Sequence, residues 1–175
     1  HNNITFLTSK ASGNYLWAIA DDDIISKDSI KSIVSCLRFS KPDILLIRAE
    51  GISEWDNIPK KKQVNNYLES EKISIMDNGF IEYLVAGSFL ASVILKKEAY
   101  EFKHSLINSL HKTNYPHFIA LLNFALIKRE FHLLDFDCIL GNKNFSGYSV
   151  IPSFEVLVHS RGVIWSSLKQ SDLRT

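Results

Sequence analysis

Two kinds of hydrophobic run alternate along this chain. Short, almost wholly apolar runs of strand length occur at residues 15–20 (YLWAIA), 43–49 (DILLIRA), 89–95 (FLASVIL) and 131–140. Runs of that kind, bounded by turn residues, predict strands, and DILLIRA is apolar enough to be covered on both faces. Between them, apolar residues recur at helical spacing: Ile30, Ile33, Val34 and Leu37, then Phe80, Ile81, Leu84 and Val85, then Phe118, Leu121, Leu122, Ala125 and Leu126.

Punctuation sets the boundaries. Residues 3–8 alternate loosely, as a short strand or the tail of a loop, and residues 9–14 read as a turn. Ser26 or Asp28 caps the first helix, which ends before Pro42 because a proline ring disfavours helix at the preceding residue. The pattern from Ile73, with Asp77 as a cap, stops at Gly87-Ser88. A short helix follows residues 96–97, and Pro116 suits the first turn of the helix after it. Residues 50–70 are polar and include Lys60, Lys61 and Lys62, read as a solvated loop. Residues 141–147 form a Gly/Asn-rich loop, and residues 154–168 an amphipathic last helix interrupted by Gly162. The expected order is α/β, with residues 1–50 making one βαβ unit, residues 73–140 a second region and residues 153–170 a terminal helix, all in one domain.

Composition narrows the class. A chain of 175 residues, 46% hydrophobic and 22% charged, can bury a sizeable core in one domain. A net charge of +1 provides no long-range attraction for nucleic acid, and no apolar run approaches the length of a membrane span. Cys36 and Cys138 lie in apolar surroundings without metal-ligand spacing, as reduced core residues of an intracellular protein would.

The chemistry is concentrated at one junction. The strand at residues 15–20 runs directly into Asp21, Asp22 and Asp23, and a helix follows. Carboxyl ends of strands are where α/β proteins place ligands. Three adjacent acids repel one another, and a hard divalent cation that also bridges to substrate phosphates would offset the repulsion. Aspartate is equally an ordinary turn residue, so the triplet alone leaves both readings open.

Three motifs carry a resemblance. Gly13-x-Tyr15-Leu16-Trp17-x-x-x-Asp21-Asp22-Asp23 followed by Ile30 resembles the family 2 glycosyltransferase pattern, in which G-x-Y-hydrophobic leads into an acidic turn. Ser92-Val93-Ile94-Leu95-Lys96-Lys97-Glu98-Ala99-Tyr100 is similar to the segment beside that family's acceptor site. Thr113-x-Tyr115-Pro116-His117 is similar to a motif of its abequosyltransferase-like branch, which serves bacterial surface polysaccharide (lipopolysaccharide) synthesis. Together they cover about residues 3–140.

The resemblance implies a partial GT-A (Rossmann-like) fold, a three-layer α/β/α arrangement with a mixed sheet. It implies transfer of a sugar from a nucleotide-sugar donor to a polysaccharide or lipid-linked acceptor at the cytoplasmic side, with peripheral membrane contact; the amphipathic residues 156–168 suit packing on the domain first and membrane contact second. The acid turn would be the DXD-type element for Mg²⁺ or Mn²⁺. Asp22 is then the first metal ligand, with Asp23 beside it, and Asp21 and Asp22 face the donor. The first acid of the family's DAD turn falls at Ala20. The family's usual Glu-Asp base pair is replaced by Tyr115-Pro116-His117, which makes His117 the candidate base, since an imidazole titrates near neutral pH; as a helix N-terminal residue it equally suits packing. Glu98 and Trp55 are candidate acceptor contacts. His104, His111, His132 and His159 show no ligand spacing, and Trp17 and Trp165 read as core. The family's base-binding βαβ stretch would precede His1, so this chain is expected to be a carboxyl-terminal portion, weak or inactive alone.

Three other readings compete. A non-catalytic glycosyltransferase remnant would act as an interaction module. A receiver-like signalling domain also places acids after a strand, but Ile47 and Arg48 stand where its phosphorylated aspartate should end the second strand. An EF-hand loop starting at Asp21 would require Gly at Ser26 and Glu at Ser32.

Overall fold

The computed structural model describes residues 6–7, 9–21, 23–50, 53–56, 58–59, 70–101 and 116–140. All fall within His1–Lys143, the first of two compact units, the second being Asn144–Thr175. The terminal helix expected at residues 154–168, the loop at 141–147, Lys60, Lys61 and Lys62, Asp22, His104, His111, His159 and Trp165 lie outside the described residues.

The fold is α/β, a mixed sheet with helices against it. In chain order the elements are β1 (Tyr15–Trp17), β2 (Ile24–Ile25), α1 (Ser29–Phe39), β3 (Ile44–Glu50), α2 (Ser53–Asp56), β4 (Glu71–Ser74), α3 (Phe80–Ala86), a 3₁₀ turn (Leu90–Ser92), β5 (Val93–Lys96), α4 (Glu98–Glu101), α5 (Pro116–Lys128) and β6 (Glu130–Leu140). The sheet runs β1-β5-β3-β6-β2, and β4 also pairs with β6. β1, β3 and β6 point the same way, and β2, β4 and β5 run against them.

β3 is the spine of the core. Ile44, Leu45, Leu46, Ile47 and Ala49 are fully buried, so both of its faces are covered, as its apolar sequence predicts. Phe80, Tyr83 and Phe131 cluster beside it, with Phe80 and Phe131 ring centroids 5.1 Å apart. Gly87 ends α3 where space is shortest. A Cβ there would stand 2.7 Å from Leu121 Cδ2 and 3.0 Å from Leu46 Cδ2. That contact packs α3 and α5 onto β3.

Several expectations change. Residues 6–7 and 9–10 are helical, with Ala11 N donating to Leu7 O, so the described part of the first segment is not a strand. β1 and β3 are parallel, but β5 lies between them, so residues 1–50 are not a closed βαβ unit of neighbouring strands. The helix expected from Ile73 begins only at Phe80. Residues 71–74 pair with β6 as β4, and Asp77 Oδ2 accepts from Ser74 N at 2.7 Å, closing the turn after β4 instead of capping α3. β5 starts at Val93 rather than Phe89.

β6 carries the sheet's main irregularity. Ile47 pairs with Leu134, Arg48 with Asp137 and Ala49 with Ile139, so β6 holds three more residues than β3 over that stretch. Bulges of this kind bend a strand and re-aim its side chains.

Candidate functional site

The strand directions bring the ends of β1, β3 and β6 to one edge of the sheet, the carboxyl edge, together with the start of β5. The chain leaves β1 at Trp17 and re-enters the sheet at Ile24, which pairs with Leu140 on the far side of β6. Residues 18–21 and 23 therefore belong to a strap that joins β1 to β2 at the carboxyl edge. The acid turn sits on this strap. Glu50, at the end of β3, also pairs with Leu140, so Ile24, Leu140 and Glu50 form one row.

The turn is tied by its own atoms. Ala20 N donates to Asp23 Oδ2 at 2.9 Å, and Asp23 N donates back to Ala20 O at 3.3 Å. One Asp23 oxygen thus fixes the backbone, while Asp21 is exposed. Beyond the turn, Ser26 N donates to Cys138 O at 2.9 Å and Ser29 Oγ to the same carbonyl at 3.1 Å, which anchors the start of α1 to β6. The Ser26 and Ser29 hydroxyls bond each other.

Residues 88–92 form a second part of this edge, held by three ring N–H donors from three elements. Trp17 Nε1 donates to Ala91 O at 2.9 Å, Trp55 Nε1 to the buried Ser92 Oγ at 2.7 Å, and His117 Nε2 to Ser88 O at 2.8 Å. Because a carbonyl only accepts, Nε2 of His117 carries a proton. The ring is buried, and burial pushes its pKa down against the opposing effect of the Ser88 bond.

Arg48 is the member that pattern reasoning missed. It is 2% exposed on β3. Its Nε donates to Asp135 Oδ1 at 2.5 Å, and one terminal nitrogen to Trp55 O at 2.7 Å and Ile58 O at 3.1 Å. Its guanidinium lies 5.3 Å from the Trp55 ring centroid. The β6 bulge supplies Asp135, and Trp55 and Ile58 are thereby clamped to the carboxyl edge. The arginine that interrupts the apolar run of DILLIRA was the only signal.

The expected site residues are distributed unevenly. Asp21, Asp23, Trp55 and His117 belong to the carboxyl edge. Trp55, expected in a polar loop as a sugar-stacking ring, is instead fully buried, with Arg48 against its ring and Tyr83 at 6.3 Å between centroids. Glu98 lies at the other end of the sheet. It follows β5, which runs against β1, and it sits 3.8 Å from Lys128. His132, on β6, bonds Ser70 Oγ at 2.8 Å and takes no part in this edge. Cys36 and Cys138 are free and buried, with burial pushing the Cys138 thiol up to about 12.

Among the described residues, no three His, Cys, Asp or Glu side chains converge as a metal cage. No described helix is long and apolar enough to cross a membrane.

No family model and no curated protein matches this sequence. Among solved structures, the chain is similar to S. aureus TarS, residues 1–349, in complex with UDP-GlcNAc. The TM-score is 0.50 and the identity 13%, over 89% of this chain and 44% of that one. The chain thus spans less than half the length of that TarS chain, and the likeness is one of fold: a mixed α/β, Rossmann-like arrangement.

Proposed function

We propose that this chain is part of a glycosyltransferase that takes a sugar from a nucleotide-diphosphate donor to a glycan or lipid-linked acceptor. The observation that carries this reading is the strap joining β1 to β2, which sets an acid turn at the carboxyl edge of a mixed sheet. Ligands of open α/β sheets bind at that edge. The fold likeness to TarS, a glycosyltransferase captured with UDP-GlcNAc, supports the same class of donor.

In this reading Asp21 and Asp22 hold Mg²⁺ or Mn²⁺ and the donor diphosphate, and Asp23 keeps the turn in shape. The cation's chemistry is to offset charge that develops on the leaving diphosphate. Trp17, Trp55 and His117 fix residues 88–92 as a rigid wall of the same edge.

Calorimetric titration of UDP, GDP, CDP or dTDP into the chain, with and without Mn²⁺, tests the proposal. Metal-dependent binding of one nucleotide, lost in Asp22→Ala, is the expected result. Metal binding without any nucleotide would place the base pocket on chain beyond this sequence. Binding of neither by a folded chain would overturn the donor site and favour a non-catalytic remnant.

A further inference from the structure

A second cluster of reactive side chains lies away from the carboxyl edge. β6 reaches that edge at Leu140, whereas His132 sits near its opposite end. Lys72 on β4 is the register partner of His132, and Glu130 stands two residues before His132. Alternation puts these three on one face of the β4–β6 pair, the other face holding the buried Ile73, Phe131 and Leu133. Ser70 joins them from just before β4. Its hydroxyl is 2.8 Å from His132 Nδ1, and both residues are half-buried. Lys72 and Glu130 pair at 2.7 Å, their side chains 57% and 44% exposed. From α1, the buried Cys36 side chain hydrogen-bonds those of Ser70 and Ser40.

The pair is set up for proton transfer. Burial holds the His132 ring below its ordinary pKa, Lys72 adds to the shift and Glu130 opposes it, so the ring is neutral near pH 7. With its proton on Nε2, Nδ1 accepts from the Ser70 hydroxyl. Burial keeps the Cys36 thiol protonated, so it donates to Ser70. A hydroxyl has two lone pairs; one takes the thiol and the other is left for attack. A nucleophile bonded to a neutral base is the arrangement that covalent catalysis uses.

We propose that Ser70 and His132 form a nucleophile–base pair that accepts the acyl group of a small activated ester, a site separate from the acid turn and independent of the sugar-transfer reading. Ser70 Oγ attacks the ester carbonyl carbon while its proton passes to His132 Nδ1. The bond from that carbon to the alcohol oxygen breaks, and the imidazolium returns the proton to the departing oxygen. Water then releases the acyl group from Ser70 by the same steps. Lys72, on the same face, is the cation that offsets charge gathered on the carbonyl oxygen.

The full chain treated with p-nitrophenyl acetate, and separately with a fluorophosphonate followed by peptide mass spectrometry, provides the test. Nitrophenolate should be released faster than in buffer, and the fluorophosphonate should mark Ser70 in preference to the other serines. Ser70→Ala should abolish the release. His132→Gln should keep its circular dichroism spectrum and slow the release on the order of a hundredfold. The wild-type rate should fall with falling pH as the ring takes up a proton. An unmarked Ser70 in the folded chain would overturn the proposal without any variant. So would acetylation confined to lysines, or release undiminished in His132→Gln.

Discussion

The two ends of the sheet solve the same problem, how to hold polar groups beside an apolar core, in different ways. At the carboxyl edge the main polar contacts are made by buried side chains with specific partners. Arg48 is held by Asp135 and two backbone carbonyls, and three ring N–H groups each find one acceptor. At the opposite, amino edge the groups are half-exposed and shared. Asp43 accepts from Lys96 and, at 2.8 Å, from Lys128, while Lys128 also lies 3.8 Å from Glu98. Buried matched groups fix geometry, because leaving any one unmade is costly. Half-exposed pairs tolerate rearrangement and are screened by salt. A site that must hold a ligand in one orientation belongs at the first kind of edge.

Breaking Arg48 should show the difference most strongly. Arg48→Ala removes the buried partner of Asp135 and the clamp on Trp55 and Ile58. Truncating one member of a buried pair costs about 3–5 kcal/mol. Urea denaturation should register a loss of that size. A loss under about 1 kcal/mol would place the pair in the same class as a solvent-screened one and erase the contrast.

How much of this was legible follows the same division. Local hydrophobic pattern announced β3, α1, α5 and β6, because each buries a continuous apolar face. It also placed the acid triplet at the end of a strand. The strap itself was hidden, since only Ile24 and Ile25 pair with β6 after the turn, and two residues carry no period. β4 was hidden for a related reason: Glu71 and Lys72 are exposed, and only Ile73 of its four residues is buried. Insertion of β5 between β1 and β3 is a long-range pairing that no local window contains. Arg48 and Trp55 mislead in opposite directions, the first a charge in a buried strand and the second an apolar ring in a polar stretch. Each is explained by the other, through the Trp55 carbonyl and the ring that Arg48 lies against.

Acid sharpens the comparison. Burial holds the His117 pKa below its ordinary value, so the folded chain keeps it neutral while the unfolded chain takes up a proton near pH 6.5. Below that value the unfolded state binds more protons, and stability falls with falling pH until the folded pKa is reached. His132 is shifted the same way, by burial first and then by Lys72. His117→Gln keeps an N–H for Ser88 O and removes the titration. Denaturation series between about pH 7 and pH 5 should show a shallower decline in this variant, and a shallower one still on adding His132→Gln. An unchanged slope in His117→Gln would mean that the ring is not held neutral by the fold.

The amino edge should respond later and less. Burial alone would raise the Asp43 carboxyl, but hydrogen bonds from Lys128 and Lys96 outweigh it and hold it below its ordinary value. A lowered carboxylate contributes stability above its unfolded value of about 3.9 and loses it as pH falls through the folded one. Nothing from Asp43 should therefore be visible in the mildly acidic range where His117 acts. Asp43→Asn should cost only about 0.2–1 kcal/mol at neutral pH, because the carboxylate is partly in water. The cost should shrink further in high salt, whereas that of Arg48→Ala should hold. The variant should also flatten the stability curve below about pH 4. A salt-independent cost of several kcal/mol would instead show that the amino edge is organised like the carboxyl edge, its lysines fixed around Asp43 as firmly as Arg48 is fixed by Asp135.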